Sequence, residues 1–135
     1  ASSFEHTMQS GYFDAMRADY KRRRDLALMM FQELGIPVAV PHGSYFFMAN
    51  TKGIAVDLPR RQSEESTDPT VMETRDYAMC RWTTEQLGVT FIPPSAFYEP
   101  QNKHLANNLI RVCFCKSDET LAEARVRLQR LKQYL

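Results

Sequence analysis

Arg111 stands in the middle of an otherwise apolar run, Leu109-Ile110-Arg111-Val112-Cys113-Phe114-Cys115. In an extended strand the side chains alternate between faces. Ile110, Val112 and Phe114 then share one side, and Leu109, Arg111, Cys113 and Cys115 the other. Apart from Arg111 both faces are apolar, which predicts a strand covered on both sides. A guanidinium there cannot shed its proton, so it must meet an anion or carry a desolvation cost of roughly several kcal/mol. Two kinds of anion fit. One is an internal carboxylate, with Glu73 and Asp57 as candidates. The other is a ligand carboxylate or phosphate, which the planar fork of an arginine grips through two parallel hydrogen bonds. Buried charges are mostly paired internally, so the pattern alone leans toward the first.

Other chemistry-bearing residues are less pointed. The three cysteines, Cys80, Cys113 and Cys115, show no ligand spacing of the C-x2-C or H-x3-H kind, which argues against a metal site. An odd number of thiols without a framework points to free cysteines in a reducing compartment, the cytoplasm first and the mitochondrion as an alternative. Cys113 and Cys115 read as small apolar side chains on a strand. The run Lys21-Arg22-Arg23-Arg24 reads as a solvated helix face, because no second basic cluster supports it. With 17 basic and 16 acidic side chains the net charge is +1, so nothing electrostatic calls for nucleic acid or an anionic membrane. No apolar stretch reaches the length of a membrane helix. The start, ASSFEHTMQSGYF, has neither the basic nor the apolar region of a signal peptide and reads as a fragment boundary.

The elements that must position these residues follow from periodicity. A chain of 135 residues, 44% hydrophobic, is expected to form a single domain over 1–135. Phe13, Met16, Tyr20, Ala27, Met30, Phe31 and Leu34 predict a helix from Gly11 to Leu34, stopped by Gly35. Val38–Val40 and Ser44–Ala49 read as two short strands joined tightly through Pro41-His42-Gly43, a hairpin pattern. The polar stretch from Asn50 to Asp68 reads as a surface loop. A second helix runs to Leu87, starting near Pro69 or Asp76 and closed by Gly88. Val89–Ile92 is a further strand, ended by Pro93-Pro94, and Ser95–Asn108 is loop. After the strand Leu109–Cys115, Ser117 or Asp118 caps a last helix with Leu121, Ala124, Leu128, Leu131 and Leu135 on one stripe. The fold class is α/β, as a two-layer α+β arrangement: a small sheet of about four strands with three helices packed on it.

Three blocks, GSYFFMAN at 43–50, GVTFIPPSAFY at 88–98 and NLIRVCFCKSDETL at 108–121, occur in this order. Together they resemble the C-terminal small domain of fold-type I pyridoxal-phosphate aminotransferases. The nearest likeness is to the kynurenine aminotransferase and cysteine-conjugate β-lyase group, and it covers the chain from about Gly11 onward. The resemblance implies that Arg111 grips the substrate α-carboxylate, which reverses the preference drawn from pattern alone. It places Tyr45 and Phe46 near the mouth through which substrate arrives, with simple core aromatics as the plain alternative. It also places Ser95, Ala96 and Phe97 beside the cleft.

The same resemblance implies pyridoxal phosphate as cofactor of the full-length enzyme, held by a lysine Schiff base in the large domain. It implies an amino acid and a 2-oxo acid as substrates, and a homodimer built mainly through the large domain. None of Lys21, Lys52, Lys103, Lys116 and Lys132 sits in a Schiff-base motif. No catalytic or cofactor-binding residue is therefore expected within these 135 residues. A different class remains open, an effector-binding domain of this type in a transcriptional regulator. RNA binding on the sheet would want paired exposed aromatics with basic flanks, which LIRVCFC lacks.

Overall fold

The structure is a computed structural model, and it describes residues 11–40 and 43–135. The first helix, α1, spans Tyr12–Gln32 and buries Ala27, Leu28, Met30 and Phe31. Its end is set by Gly35, whose φ of 73° is costly for residues bearing a Cβ. Two short strands follow, β1 at Val38–Ala39 and β2 at Phe46–Asn50. They pair antiparallel, Val38 opposite Ala49, as the hairpin pattern predicts. The proposed Pro41-His42 connection lies outside the described residues, as does the N-terminal segment 1–10.

The second helix, α2, spans Arg75–Trp82 and widens into a π-type turn over Thr83–Leu87. Gly88 closes it at φ 71°. Strand β3 covers Leu109–Cys113 and pairs antiparallel with β2, giving a three-stranded sheet in the order β1-β2-β3. The last helix, α3, spans Asp118–Leu128 and tightens into 3-10 turns over Gln129–Tyr134. Ser117 is its cap, with Oγ accepting the Thr120 amide at 3.2 Å. Among the described residues no helix is long and apolar enough to cross a membrane.

The core lies between one face of the sheet and the helices. Phe31 meets Phe47 and Phe91 edge-on at 5.7 and 5.8 Å, and Phe47 stacks on Phe114 at 6.3 Å. Ile110, Val112, Leu121, Leu128 and Leu131 complete it.

Four expectations need correction. Val89–Ile92 is not a strand. Val89 and Phe91 are buried and Thr90 and Ile92 exposed, so the strand-like alternation is present. Only Ile92 bridges to the sheet, opposite Arg111, because Pro93 and Pro94 follow at once and Pro94 starts a 3-10 turn. The sheet therefore has three strands rather than about four. The segment Ser95–Asn108 is not plain loop but carries two 3-10 turns, Pro94–Phe97 and Pro100–Ala106. Leu135 ends the predicted stripe exposed, because the tighter turns after Leu128 rotate it off the apolar face.

Candidate functional site

The face of β3 that carries Arg111 is not covered as the sequence pattern predicts. Ile110, Val112 and Phe114 are buried, whereas Leu109, Arg111 and Cys113 are half-buried and Cys115 is exposed. The opposing β2 residues repeat the division, with Phe47 and Ala49 buried and Phe46, Met48 and Asn50 half-buried. The pairing register sets Met48 opposite Arg111 and Phe46 opposite Cys113. Phe46 is therefore the diagonal neighbour of Arg111 on the same face, within reach of a long side chain.

Arg111 has no carboxylate within ion-pair distance among the described residues. Both proposed internal partners are corrected. Glu73 is held by Arg81 and by the Arg61 amide, and no ion pair links Asp57 to Arg111. The guanidinium instead lies against aromatic rings. Its Cζ is 3.7 Å from the ring centroid of Phe46 and 5.1 Å from that of Phe97. Such contacts contribute about 0.5–2 kcal/mol each but satisfy no hydrogen-bond donor. Nε is shut off from solvent with no hydrogen-bond partner among the described residues. The result is a cation packed against two π faces, with no ion pair among the described residues.

Tyr45 and Phe46 are not core aromatics. Tyr45 is exposed and packs edge-on against Tyr20 at 5.2 Å. It follows Ser44, which holds a φ of 76°, an uncommon conformation for a residue with a Cβ. Phe47 takes the core position instead, since alternation along β2 sends neighbours to opposite faces. Of the proposed trio, Phe46 thus meets Arg111 directly, whereas the ring of Tyr45 packs on Tyr20 instead.

Phe97 is 66% exposed, yet its ring reaches Arg111. Its segment is pinned twice. The Arg111 amide donates to the Ile92 carbonyl at 2.9 Å and the Ile92 amide to the Arg111 carbonyl at 3.2 Å. Ser95, fully buried, gives both its amide and its hydroxyl to the carboxylate of Asp76, each at 2.9 Å. Asp76 was visible in the sequence only as a candidate helix start. An acid in the first turn of a helix is ordinary, so nothing local marked it as a buried residue reaching a segment 19 positions away.

None of the five lysines is buried. Lys21, Lys52, Lys116 and Lys132 are exposed, and Lys103 is ion-paired to Glu65 at 2.6 Å. Glu65 also accepts the Tyr77 hydroxyl. Burial, with Glu65 second, raises the Tyr77 phenol to about 12, and burial raises the Cys80 thiol to about 12. Among the described residues no cluster of three or more His, Cys, Asp or Glu side chains could hold a metal ion.

No family model matches the chain. Over all 135 of its residues it is 33% identical to the "Probable kynurenine--oxoglutarate transaminase BNA3" of Saccharomyces cerevisiae, of which it spans 30%. It is 32% identical to the kynurenine--oxoglutarate transaminase of Dictyostelium discoideum, with 98% of this chain and 30% of that protein aligned. The crystal structure of Bna3p from Saccharomyces cerevisiae superposes with a TM-score of 0.86, at 32% identity over 99% of this chain and 31% of that one. The match falls in the C-terminal part of these relatives.

Proposed function

The chain belongs to the aminotransferase family, matching its C-terminal domain, and from that premise we propose that it supplies the substrate-carboxylate grip of a pyridoxal-phosphate aminotransferase. The observation that carries this reading is the guanidinium of Arg111, held against Phe46 and Phe97 with no carboxylate partner among the described residues. A bidentate carboxylate is the ligand its planar fork fits. Arg111 binds and orients rather than moving a proton: gripping the carboxylate aims the remaining bonds of the amino acid. Phe46 fixes the guanidinium plane, and Tyr45 borders the approach.

The substrates are an amino acid and a 2-oxo acid, with kynurenine and 2-oxoglutarate the first pair to assay, since the relatives' names carry them. Because those names are transaminases, the enzyme reading is favoured over an effector-binding domain of a regulator. The residues of this chain do not by themselves fit pyridoxal phosphate, for which a buried lysine beside a phosphate cradle is needed. Its lysines are exposed or, at Lys103, already paired. The cofactor, its lysine and the dimer contact belong in this reading to the large domain, the remaining length of the relatives. Residues 1–135 then act as the small domain of a cytoplasmic or mitochondrial homodimer.

The test is steady-state kinetics of the full-length enzyme carrying Arg111→Ala or Arg111→Lys. Losing the partner of a buried charge lowers capture by about 2–5 kcal/mol. Lys keeps the charge but lacks the fork, so it should recover only part of that loss. Near-normal kcat/KM in both variants would overturn the reading.

A further inference from the structure

Asp76 is a fully buried carboxylate without a cation partner among the described residues. It is satisfied by donors alone. Oδ2 accepts the Ser95 amide at 2.9 Å. Oδ1 accepts the Ser95 hydroxyl at 2.9 Å, the Tyr77 amide at 3.0 Å and the Thr74 hydroxyl. The hydroxyls of Thr74 and Ser95 lie 3.0 Å apart. Taking a carboxylate out of water is expensive unless such a set is complete. Accepting the Tyr77 amide in the first turn of α2 does not require burial, since an exposed Asp would accept it equally. What the buried arrangement adds is the link to Ser95.

Ser95 sits between two points of contact with Arg111. Three residues before it, the Ile92 backbone exchanges both hydrogen bonds with the Arg111 backbone. Two residues after it, Phe97 lays its ring 5.1 Å from the guanidinium. Phe97 is largely exposed, so core packing does not decide where its ring stands. The two pins decide it.

We propose that Asp76 is a positioning residue for the carboxylate site: through Ser95 it holds the Pro93–Tyr98 turn so that Phe97 covers the guanidinium of Arg111 and fixes its aim. This rests on the reading of Arg111 as the carboxylate grip. A long side chain with no ion pair would otherwise sample several rotamers, and capture would be reduced by the fraction of time it is misaimed. Phe97 supplies one ring wall and Phe46 another. Asp76 touches neither the guanidinium nor the ligand.

The experiment is kinetics of the full-length enzyme with kynurenine as probe, on wild type, Asp76→Asn, Phe97→Ala, Phe97→Tyr, the Asp76→Asn/Phe97→Ala double variant, and Arg111→Lys. Asn keeps the size of Asp76 but turns an amide donor toward hydroxyl or amide donors. Asp76→Asn and Phe97→Ala should each raise KM about 3- to 30-fold, the range for losing one cation–π wall, with kcat at saturation changed by less than about 3-fold. Phe97→Tyr should restore KM to within about 2-fold. The double variant should be no worse than the poorer single one, because Asp76 acts through Phe97.

An unchanged KM in Phe97→Ala, or fully additive losses in the double variant, would overturn the proposal. If Asp76→Asn does not fold, Ser95→Ala, which removes the hydroxyl bond to Asp76 and keeps the amide bond, takes its place, and an unchanged KM there would overturn the proposal. If Arg111→Lys raises KM while the Phe97 variants do not, only this proposal fails. If Arg111→Lys leaves KM unchanged, the carboxylate reading itself fails.

Discussion

Phe46 and Phe47 are adjacent in β2, and truncating each to alanine should have opposite consequences. Phe47 is 2% exposed. It meets Phe31 at 5.7 Å and stacks on Phe114 at 6.3 Å, so its loss leaves a cavity between the sheet and α1. Phe→Ala in a packed core costs about 3–5 kcal/mol. With a urea slope of about 2 kcal/mol per molar, the unfolding midpoint should fall by about 2 M. Phe46 lies on the half-open face, and its defined partner is Arg111 at 3.7 Å. Its truncation should cost about 1 kcal/mol, from one cation–π contact and partial burial, or about 0.5 M of urea. Trp82 is the sole tryptophan and packs edge-on against Tyr134 at 5.1 Å, so its fluorescence reports the transition. In the full-length enzyme the order reverses for substrate capture, where Phe46→Ala raises KM. Equal midpoint shifts, or a larger one for Phe46→Ala, would refute the assignment of faces on which the site is built.

Two further outcomes follow from the fold. The Cys80 thiol and the Tyr77 phenol are both raised to about 12; the folded state therefore favours their neutral forms. Their contribution is fully present below the unfolded values of about 8.5–10 and is lost as pH rises toward 12. The unfolding free energy, measured by urea titration, should fall across that window, and Cys80→Ala should flatten the fall. Ser117→Ala removes the hydroxyl that accepts the Thr120 amide and should cost about 1 kcal/mol by the same titration, whereas Ser117→Asp should retain stability.

Local signals carried much of this architecture. The stripe of α1 and the stop at Gly88 are contained within a few residues of sequence, and the structure has each where the pattern predicts it; of the two cap candidates, Ser117 and Asp118, it takes Ser117. Alternation also carried Val89–Ile92, since its burial does alternate. A ladder, however, needs a partner edge as well as a pattern, and two prolines leave only Ile92 to bridge. The environment of Arg111 was not legible for the same reason. Whether a charge in an apolar strand is paired depends on what topology brings beside it. Here topology brings Phe46 and Phe97, and it leaves Glu73 with Arg81. Asp76 was hidden because a helix-starting acid and a buried latch have the same sequence.

Recognition of a carboxylate by Arg111 can be read out by comparing two probes in one enzyme. Wild-type and Arg111→Ala full-length enzyme would each be assayed with kynurenine and with the amide made by converting its α-carboxylate to a carboxamide. The two probes are nearly isosteric and differ in charge at the atom group Arg111 would grip. Wild type should prefer the acid by about 100-fold or more in kcat/KM, in keeping with loss of a buried charge partner. Arg111→Ala should bring the two probes to within about 10-fold of each other, chiefly by slowing the acid. Preserved discrimination in Arg111→Ala would contradict that recognition.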